Sequence, residues 1–177
     1  MRPSRRLVLA GGLALAAGAA VAHTPYGQWV VYRRKHLLIG AHRGDARTYD
    51  LAKKVTEVLG HELPEARARV ARGPRPQRIA SLMGTGQLLT AVLAEAEALA
   101  MLEAAPPFDN YRPVPLRRLV GLEAGYSLHA GPTLPDDHAW LVAAALAHAG
   151  LGTRPEARPI ALHAGAAAFW HGEPRPG

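Results

Sequence analysis

The chain lacks cysteine altogether among its 177 residues. This absence excludes disulfides, thiolate nucleophiles and zinc sites with cysteine ligands, and it leaves nothing for an oxidising compartment to crosslink. The glycine-rich signatures of nucleotide-binding loops are absent as well, so the sequence indicates no nucleotide cofactor. Aromatic residues make up only 6%, and Ala, Val and Leu dominate the apolar half, which is typical of a helix-rich α/β protein. The length suits one ordinary domain.

A strong charge of one sign is also missing from most of the chain. The formal net charge is +7, from 21 basic and 14 acidic residues. Three arginines lie before residue 23 and all of the acidic residues lie after it, so the remainder carries 18 − 14 = +4. The basic residues form no stripe with interleaved aromatics, and we therefore predict no binding to nucleic acid.

Residues 7–22 form a run of 16 residues with no charge and no strongly polar side chain. It is shorter than the roughly 20 residues that span a bilayer. A basic segment precedes it, and Ala20-Val21-Ala22 supplies the small residues that signal peptidase reads. We predict that residues 1–22 are a signal peptide cleaved before His23, or a retained N-terminal membrane anchor. Ser4-Arg5-Arg6-Leu7-Val8-Leu9 resembles a twin-arginine export motif, and an ordinary signal is the alternative.

Residues 23–35 form a basic juxtamembrane segment. Trp29 and Arg33-Arg34-Lys35 resemble an interfacial belt, with an aromatic ring at headgroup depth followed by cations for anionic lipid. A contact with the membrane surface is therefore expected there if the anchor is retained. In either case the positive end before the apolar run stays inside. The following domain is predicted to lie in the periplasm, soluble or anchored to the inner membrane.

Residues 36–171 are predicted to form one α/β domain, followed by a disordered tail at 172–177. Strand and helix patterns alternate along its first part, which favours a mostly parallel sheet with helices on its faces. Short apolar runs and helical spacing of apolar residues define the elements. The predicted strands are 37–40, 66–71, 88–93, 116–122, 126–130 and 159–165, and the predicted helices are 46–59, 77–83, 94–102, 136–149 and 166–170.

The helix at 136–149 has the clearest pattern of the C-terminal half. Asp136 and Asp137 favour a helix N-terminus because negative charge is stabilised at that end of the helix dipole. Trp140, Leu141 and Ala144 share an apolar face, through which we expect the helix to pack on the sheet.

The turn at residues 40–44 lies between a predicted strand and a predicted helix that Asp45 caps. Backbone N–H groups and a helix N-terminus at such a turn bind anions, and Arg43 adds a bidentate contact for a carboxylate. An ordinary connecting turn is the alternative. The nine histidines form no HxH or HxxxH pair, and no serine lies in a GxSxG setting. We therefore predict no metal site, no cofactor and no enzyme activity.

Taken in order, these segments resemble the solute-binding proteins of tripartite ATP-independent periplasmic (TRAP) transporters, TAXI subfamily. The resemblance begins with the strand, turn and helix at 38–59 and continues through 66–70, 75–83 and 86–93. Leu134-Pro135-Asp136-Asp137-His138-Ala139-Trp140 and Leu162-His163-Ala164-Gly165-Ala166 resemble two phrases near the family's C-terminus. The resemblance implies a single-lobe periplasmic-binding-protein-like sandwich. Carried over by position, the ligand-binding residues would be Ala41, His42, Arg43, Gly44, Thr48, Tyr49, Arg75 and Gln87.

The sequence departs from that family where the second lobe is expected. Only a loop connects Tyr126 to Leu134, whereas the family closes two lobes on its ligand. The resemblance implies binding of a small organic anion, such as an amino acid or keto acid, for delivery to the membrane subunits of a transporter. The missing lobe favours an alternative, in which a membrane-attached accessory protein uses one lobe to hold another envelope protein.

Overall fold

The computed structural model describes residues 32–123, 125–156 and 159–177, and the domain is the compact unit Lys35–Gly177. The predicted export signal and Trp29 lie outside the described residues. None of the described helices is long and apolar enough to cross a bilayer. The strands are β1 (Leu38–His42), β2 (Arg69–Gly73), β3 (Thr90–Ala94), β4 (Arg117–Glu123) and β5 (Tyr126–Ala130), and the helices are α1 (Ala46–Glu62), α2 (Pro76–Gly84), α3 (Glu95–Glu103), α4 (Asp136–His148) and α5 (Ala164–Trp170).

The strands form one sheet in the order β2-β1-β3-β5-β4. β1 pairs in parallel with β2 and β3, while β5 runs antiparallel to both β3 and β4. Four strands therefore point the same way, and β5 alone runs against them. This confirms the predicted α/β single-lobe sandwich with a mostly parallel sheet, and it confirms that the first three strands lie side by side.

The sheet has a separate apolar core on each face, because successive side chains of a strand point to opposite sides. Helices α1, α4 and α5 cover one face, and helices α2 and α3 cover the other. In β1, Ile39 and Ala41 belong to the first core, and Leu38 belongs to the second. The second core also contains Phe108 and Ile160, which lie outside the helices and strands.

Helix α1 begins as the sequence predicts. The Asp45 carboxylate accepts a hydrogen bond from the Arg47 N–H at 2.8 Å, which caps the helix. Its apolar face is fully buried at Leu51, Val55 and Leu59. The helix continues past the predicted end at Gly60 because the Leu63 N–H still reaches the Leu59 carbonyl, at 3.0 Å.

The second strand begins later than the predicted residue 66. A 3-10 turn occupies Pro64–Ala66, where Pro64 stands at the first position of the turn. Arg67 then adopts a left-handed conformation, with a φ of 46°. The alternating Ala/Arg pattern therefore belongs partly to this turn, and β2 pairs with β1 only from Arg69 onward.

Helix α4 packs on the sheet through a different face from the predicted one. Trp140 and Leu141 are only partly buried, although Ala144 is buried as expected. The buried face carries Ala139, Val142, Ala143, Ala145 and Leu146. Because nearly every residue of this helix is apolar, spacing alone does not identify the inner face. The Trp140 ring instead packs edge-on against Phe169 of α5, at 5.4 Å between ring centroids.

The segment 159–165 does not form the predicted strand. Among the described residues it contributes one isolated bridge, in which Leu162 lies beside Arg118 of β4. Helix α5 then begins at Ala164, two residues before the predicted start at 166. Residues 172–177 contain no helix or strand, and the Glu173 carbonyl accepts a hydrogen bond from the Trp140 indole N–H at 3.1 Å.

The contact between α4 and α5 requires a glycine at position 165. A β-carbon added to Gly165 would lie 1.8 Å from the Asp136 carbonyl oxygen, so no other residue fits without moving a helix. His163 caps α5 by accepting from the Gly165 N–H at 3.3 Å, and its other nitrogen lies 3.1 Å from the Leu134 carbonyl. Burial lowers the pKa of His163, more than the Leu134 carbonyl and Asp136 raise it.

Candidate functional site

The crossover pattern of the sheet indicates a candidate ligand-binding position at the carboxyl ends of β1 and β3. The chain leaves β1 through α1 to reach β2 on one side, and leaves β2 through α2 to reach β3 on the other. Helices on either side of this switch point diverge, and open α/β sheets bind ligands in the crevice that results. At the switch point of this sheet, β1 ends at His42 and β3 ends at Ala94.

An ion pair joins His42 at the end of β1 to Glu97, and we call it the edge pair. Glu97 lies in the first turn of α3, and its carboxylate oxygens lie 3.1 and 3.2 Å from His42 Nε2. The two side chains are 6% and 16% exposed, so little water screens them. Burial raises the pKa of Glu97, although the neighbouring His42 opposes the shift. The Nδ1 atom of His42 is buried and has no hydrogen-bond partner among the residues that the structure describes.

A second polar group, which we call the sheet network, joins Glu95, Arg118, Ser127 and His129. Arg118 donates to the Glu95 carboxylate through Nε, at 2.9 Å, and through a terminal nitrogen, while Ser127 donates to the other carboxylate oxygen. A third Arg118 nitrogen donates to the Glu156 carbonyl at 2.7 Å. The network connects α3 with β4 and β5 across the face of the sheet that α2 and α3 cover.

The charges of the sheet network are fixed by its burial and its hydrogen bonds. Burial alone would raise the pKa of Glu95, but the hydrogen bonds from Arg118 and Ser127 outweigh it and hold the pKa below its usual value. His129 is fully buried, and this burial lowers its pKa to about 4, with Arg118 acting in the same direction. Its Nδ1 lies 3.2 Å from the Ser127 carbonyl, and within the described part of the chain its Nε2 has no hydrogen-bond partner. The histidine is therefore neutral at pH 7.

Three of the eight predicted ligand-binding residues lie within the packed structure. Ala41 is completely buried in the core under α1. Thr48 is equally buried, and its hydroxyl donates to the Asp45 carbonyl at 2.8 Å. The ring of Tyr49 lies between two cations, with Arg72 at 4.3 Å and Lys53 at 4.9 Å from its centroid.

Gln87 lies at the other end of the sheet. It precedes β3, whereas the turn at residues 41–45 follows β1, and the two strands are parallel. A five-residue strand is about 15 Å long, so Gln87 is separated from the turn by about that distance. Its amide donates locally to the Thr85 hydroxyl at 3.0 Å.

Four predicted residues are brought together at the carboxyl ends of β1 and β2, which we call the carboxyl edge: His42, Arg43, Gly44 and Arg75. His42 pairs with Gly73 in the register between β1 and β2, and the Arg43 N–H donates to the Gly73 carbonyl at 3.0 Å. Arg43 and Arg75 therefore follow neighbouring strands. Both side chains are exposed, and neither forms an ion pair with another residue in the part of the chain that the structure describes.

The backbone of the turn is less available to an anion than the sequence suggested. The Arg43 N–H is bound to Gly73, and the Arg47 N–H is bound to the Asp45 carboxylate. Asp45 also places negative charge where an anion would meet α1. At this edge the exposed side chains of Arg43 and Arg75 are therefore the charged donors available to an anion.

Sequence reasoning missed both glutamates of α3, Glu95 and Glu97, and the whole sheet network. Glu95 and Glu97 look like ordinary residues of an Ala/Glu helix. A signal was nevertheless present in β5, where Ser127 and His129 stand on one face of an otherwise apolar strand. Arg118 likewise interrupts the apolar run of β4. Buried polar residues of this kind need partners.

Comparison with known proteins identifies no relative of this chain. No protein-family model matches it, and no curated protein or solved structure resembles it significantly. The resemblance to the TAXI subfamily therefore stays a prediction. Within the described residues, no group of three or more histidine or acidic side chains could hold a metal ion.

Proposed function

We propose that the domain binds a small organic anion, such as an amino acid or keto acid, at the carboxyl edge of β1 and β2, and that it is a reduced solute-binding protein serving a transporter. The observation that carries the proposal is the pair of exposed arginines, Arg43 and Arg75, which follow neighbouring strands. Guanidinium groups match carboxylates in geometry and charge. Two of them at one edge offer a site for one carboxylate.

The location supports this proposal as well. Arg43 follows β1, one of the two strands that border the switch point of the sheet, where proteins of this architecture bind ligands, and Arg75 follows the neighbouring β2. A single lobe leaves the anion half in water, so the affinity is expected to be low. We expect a dissociation constant nearer millimolar than micromolar, about −4 kcal/mol of binding free energy.

Replacing Arg43 should nearly abolish binding. Loss of a charge-assisted hydrogen bond costs about 1.5–3 kcal/mol, which corresponds to roughly tenfold to hundredfold weaker binding. Calorimetric titration of the Arg43→Ala variant with glutamate and pyruvate measures the effect. The melting temperature should stay the same, because the exposed Arg43 side chain contributes little to the core.

Arg112 provides a matched control for this experiment. It is also exposed, but it lies in the loop between α3 and β4. Arg112→Ala changes the net charge by the same amount and should leave the affinity unchanged. Binding that survives Arg43→Ala, or that falls equally in both variants, would show that the site does not lie at the carboxyl edge.

We also expect the domain to act outside the cytoplasm, because residues 1–22 have the composition of an export signal. A reporter enzyme that is active only in the periplasm should be active when it is fused after Gly177. Activity of a cytoplasmic reporter at the same position would contradict the proposed location. Arg5→Lys combined with Arg6→Lys should block export if the twin-arginine pathway is used, and should leave it unchanged for an ordinary signal.

A membrane-attached accessory role is the second candidate. It is favoured by the single lobe of the unit Lys35–Gly177, which offers no second surface to close on a solute. In that role the domain would hold another envelope protein instead of delivering an anion to transporter subunits. Failure of every amino acid and keto acid to bind, together with normal export, would favour it.

A further inference from the structure

His42 has an arrangement that a purely structural ion pair does not need. The residue is 5% exposed, and its Nε2 is held by Glu97 at 3.1 Å. Its Nδ1 is buried and has no partner among the described residues. Burying an unsatisfied polar atom costs free energy, so the ring is better suited to a state in which Nδ1 meets another group.

The atom is covered by the turn that Arg43 and Gly44 form. A β-carbon added to Gly44 would lie 3.1 Å from His42 Nδ1 and 3.4 Å from Cε1, so the glycine stands directly over this edge of the ring. Both Arg43 and Gly44 are exposed. An exposed turn therefore lies over Nδ1, and this turn opens α1, which is 17 residues long.

We infer that His42 receives the carboxylate of the ligand through Nδ1, so that binding of an organic anion is coupled to the uptake of one proton. This inference rests on the proposed function, because it assigns a second donor to the same anion site. Its ligand class is a carboxylate that binds together with a proton taken from solvent.

The proton is required by the hydrogen bonds of the ring. When Nε2–H donates to the Glu97 carboxylate, the neutral ring presents a lone pair at Nδ1, which repels a carboxylate. Adding one proton to the edge pair turns Nδ1 into a donor. This holds whether the result is an imidazolium beside the Glu97 carboxylate or a neutral imidazole beside a protonated Glu97 carboxyl group. The partial burial that raises the pKa of Glu97 helps the pair to hold this proton.

The charges around the edge pair are consistent with a proton that arrives with an anion. From the turn, Asp45 acts electrostatically on Glu97, and Arg43 follows His42 directly. From β2, the register partner Gly73 brings no charge, and Arg75 follows two residues later. A carboxylate between the two arginines would lower the local positive potential and thereby favour the additional proton.

The test is calorimetric titration of the full chain with pyruvate and with glutamate, in buffers that differ in ionisation enthalpy. We expect the ligand to bind with the uptake of up to one proton, and we expect this uptake to be largest at the alkaline end of the titrated range. The association constant should then fall by about tenfold for each unit of pH in that range. Binding that depends on Arg43 but takes up no proton would overturn the inference and leave the proposed function standing. Absence of any binding would overturn both.

Two variants separate the role of Nδ1 from that of the ion pair. His42→Gln keeps an amide donor for Glu97 and removes the Nδ1 atom, so it should weaken binding and abolish proton uptake. Gly44→Ala alters no charge and covers Nδ1 with a methyl group, and it should do the same. Both should melt close to the wild type. Unchanged proton uptake in either folded variant would overturn the inference.

Discussion

Glu95→Gln should destabilise the domain by about 3 kcal/mol, because it removes the carboxylate that pairs with the buried Arg118 guanidinium. Removing one partner of a buried ion pair typically costs 3–5 kcal/mol, and we expect about the lower end because the Glu95 side chain is 29% exposed. Arg118 is 5% exposed at its side chain. The glutamine has the same shape as glutamate, so the change isolates the charge. Urea denaturation of the full chain at pH 7 measures the difference.

An exposed ion pair provides the matched control. Arg47 and Glu123 also form a paired guanidinium and carboxylate, but their side chains are 47% and 29% exposed and water screens them. Glu123→Gln should therefore leave the free energy of unfolding nearly unchanged. In the Glu95→Gln background, Arg118→Met should restore part of the lost stability, because it removes the buried guanidinium charge that has lost the Glu95 carboxylate. Equal effects of Glu95→Gln and Glu123→Gln on the free energy of unfolding would show that burial does not increase the contribution of the sheet network to stability.

The fold could largely be predicted because its local signals agree with one another. The strand at Leu38–His42, the cap at Asp45 and the buried face of α1 follow from an apolar run, a capping residue and helical spacing. Failures occurred where one of these signals was uninformative. In α4, alanine on all sides removes the contrast between the two faces of the helix. At 64–67, a proline and a left-handed residue delay β2, and the Ala/Arg alternation does not show it.

The candidate site was much less accessible to sequence reasoning. Arg43 and Gly44 could be placed at the edge because a turn after a buried strand must lie there. Glu97 could not, since its partner His42 is 55 residues away in the sequence. Sequence reasoning also did not place Gln87 correctly relative to the turn at residues 41–45. Its position relative to β1 depends on the direction in which β3 runs, which is a property of the whole sheet.

Acid should destabilise the domain well before its carboxylates titrate, because His129 stays neutral in the folded state. Burial lowers its pKa from the usual 6.5 to about 4. Between these values the unfolded chain takes up a proton that the folded chain does not, so the free energy of unfolding falls as the pH falls. A difference of this size corresponds to about 3 kcal/mol at pH 4, since each unit is worth about 1.4 kcal/mol. Above pH 6.5 the stability that neutral His129 contributes is fully present.

The variant His129→Leu should remove most of this pH dependence. Leucine has no proton to take up, and it also removes the buried Nε2, for which the described residues supply no hydrogen-bond partner, so stability at pH 7 should change little. His163, whose pKa is also lowered, and Glu95 are present in both proteins, and their contributions cancel to first order when the two curves are subtracted. Urea denaturation at intervals from pH 7 to pH 4 should therefore give curves that coincide near neutrality and diverge below pH 6.5, with the variant the more stable at pH 4. Parallel curves over that range would show that His129 accepts a proton within the folded sheet.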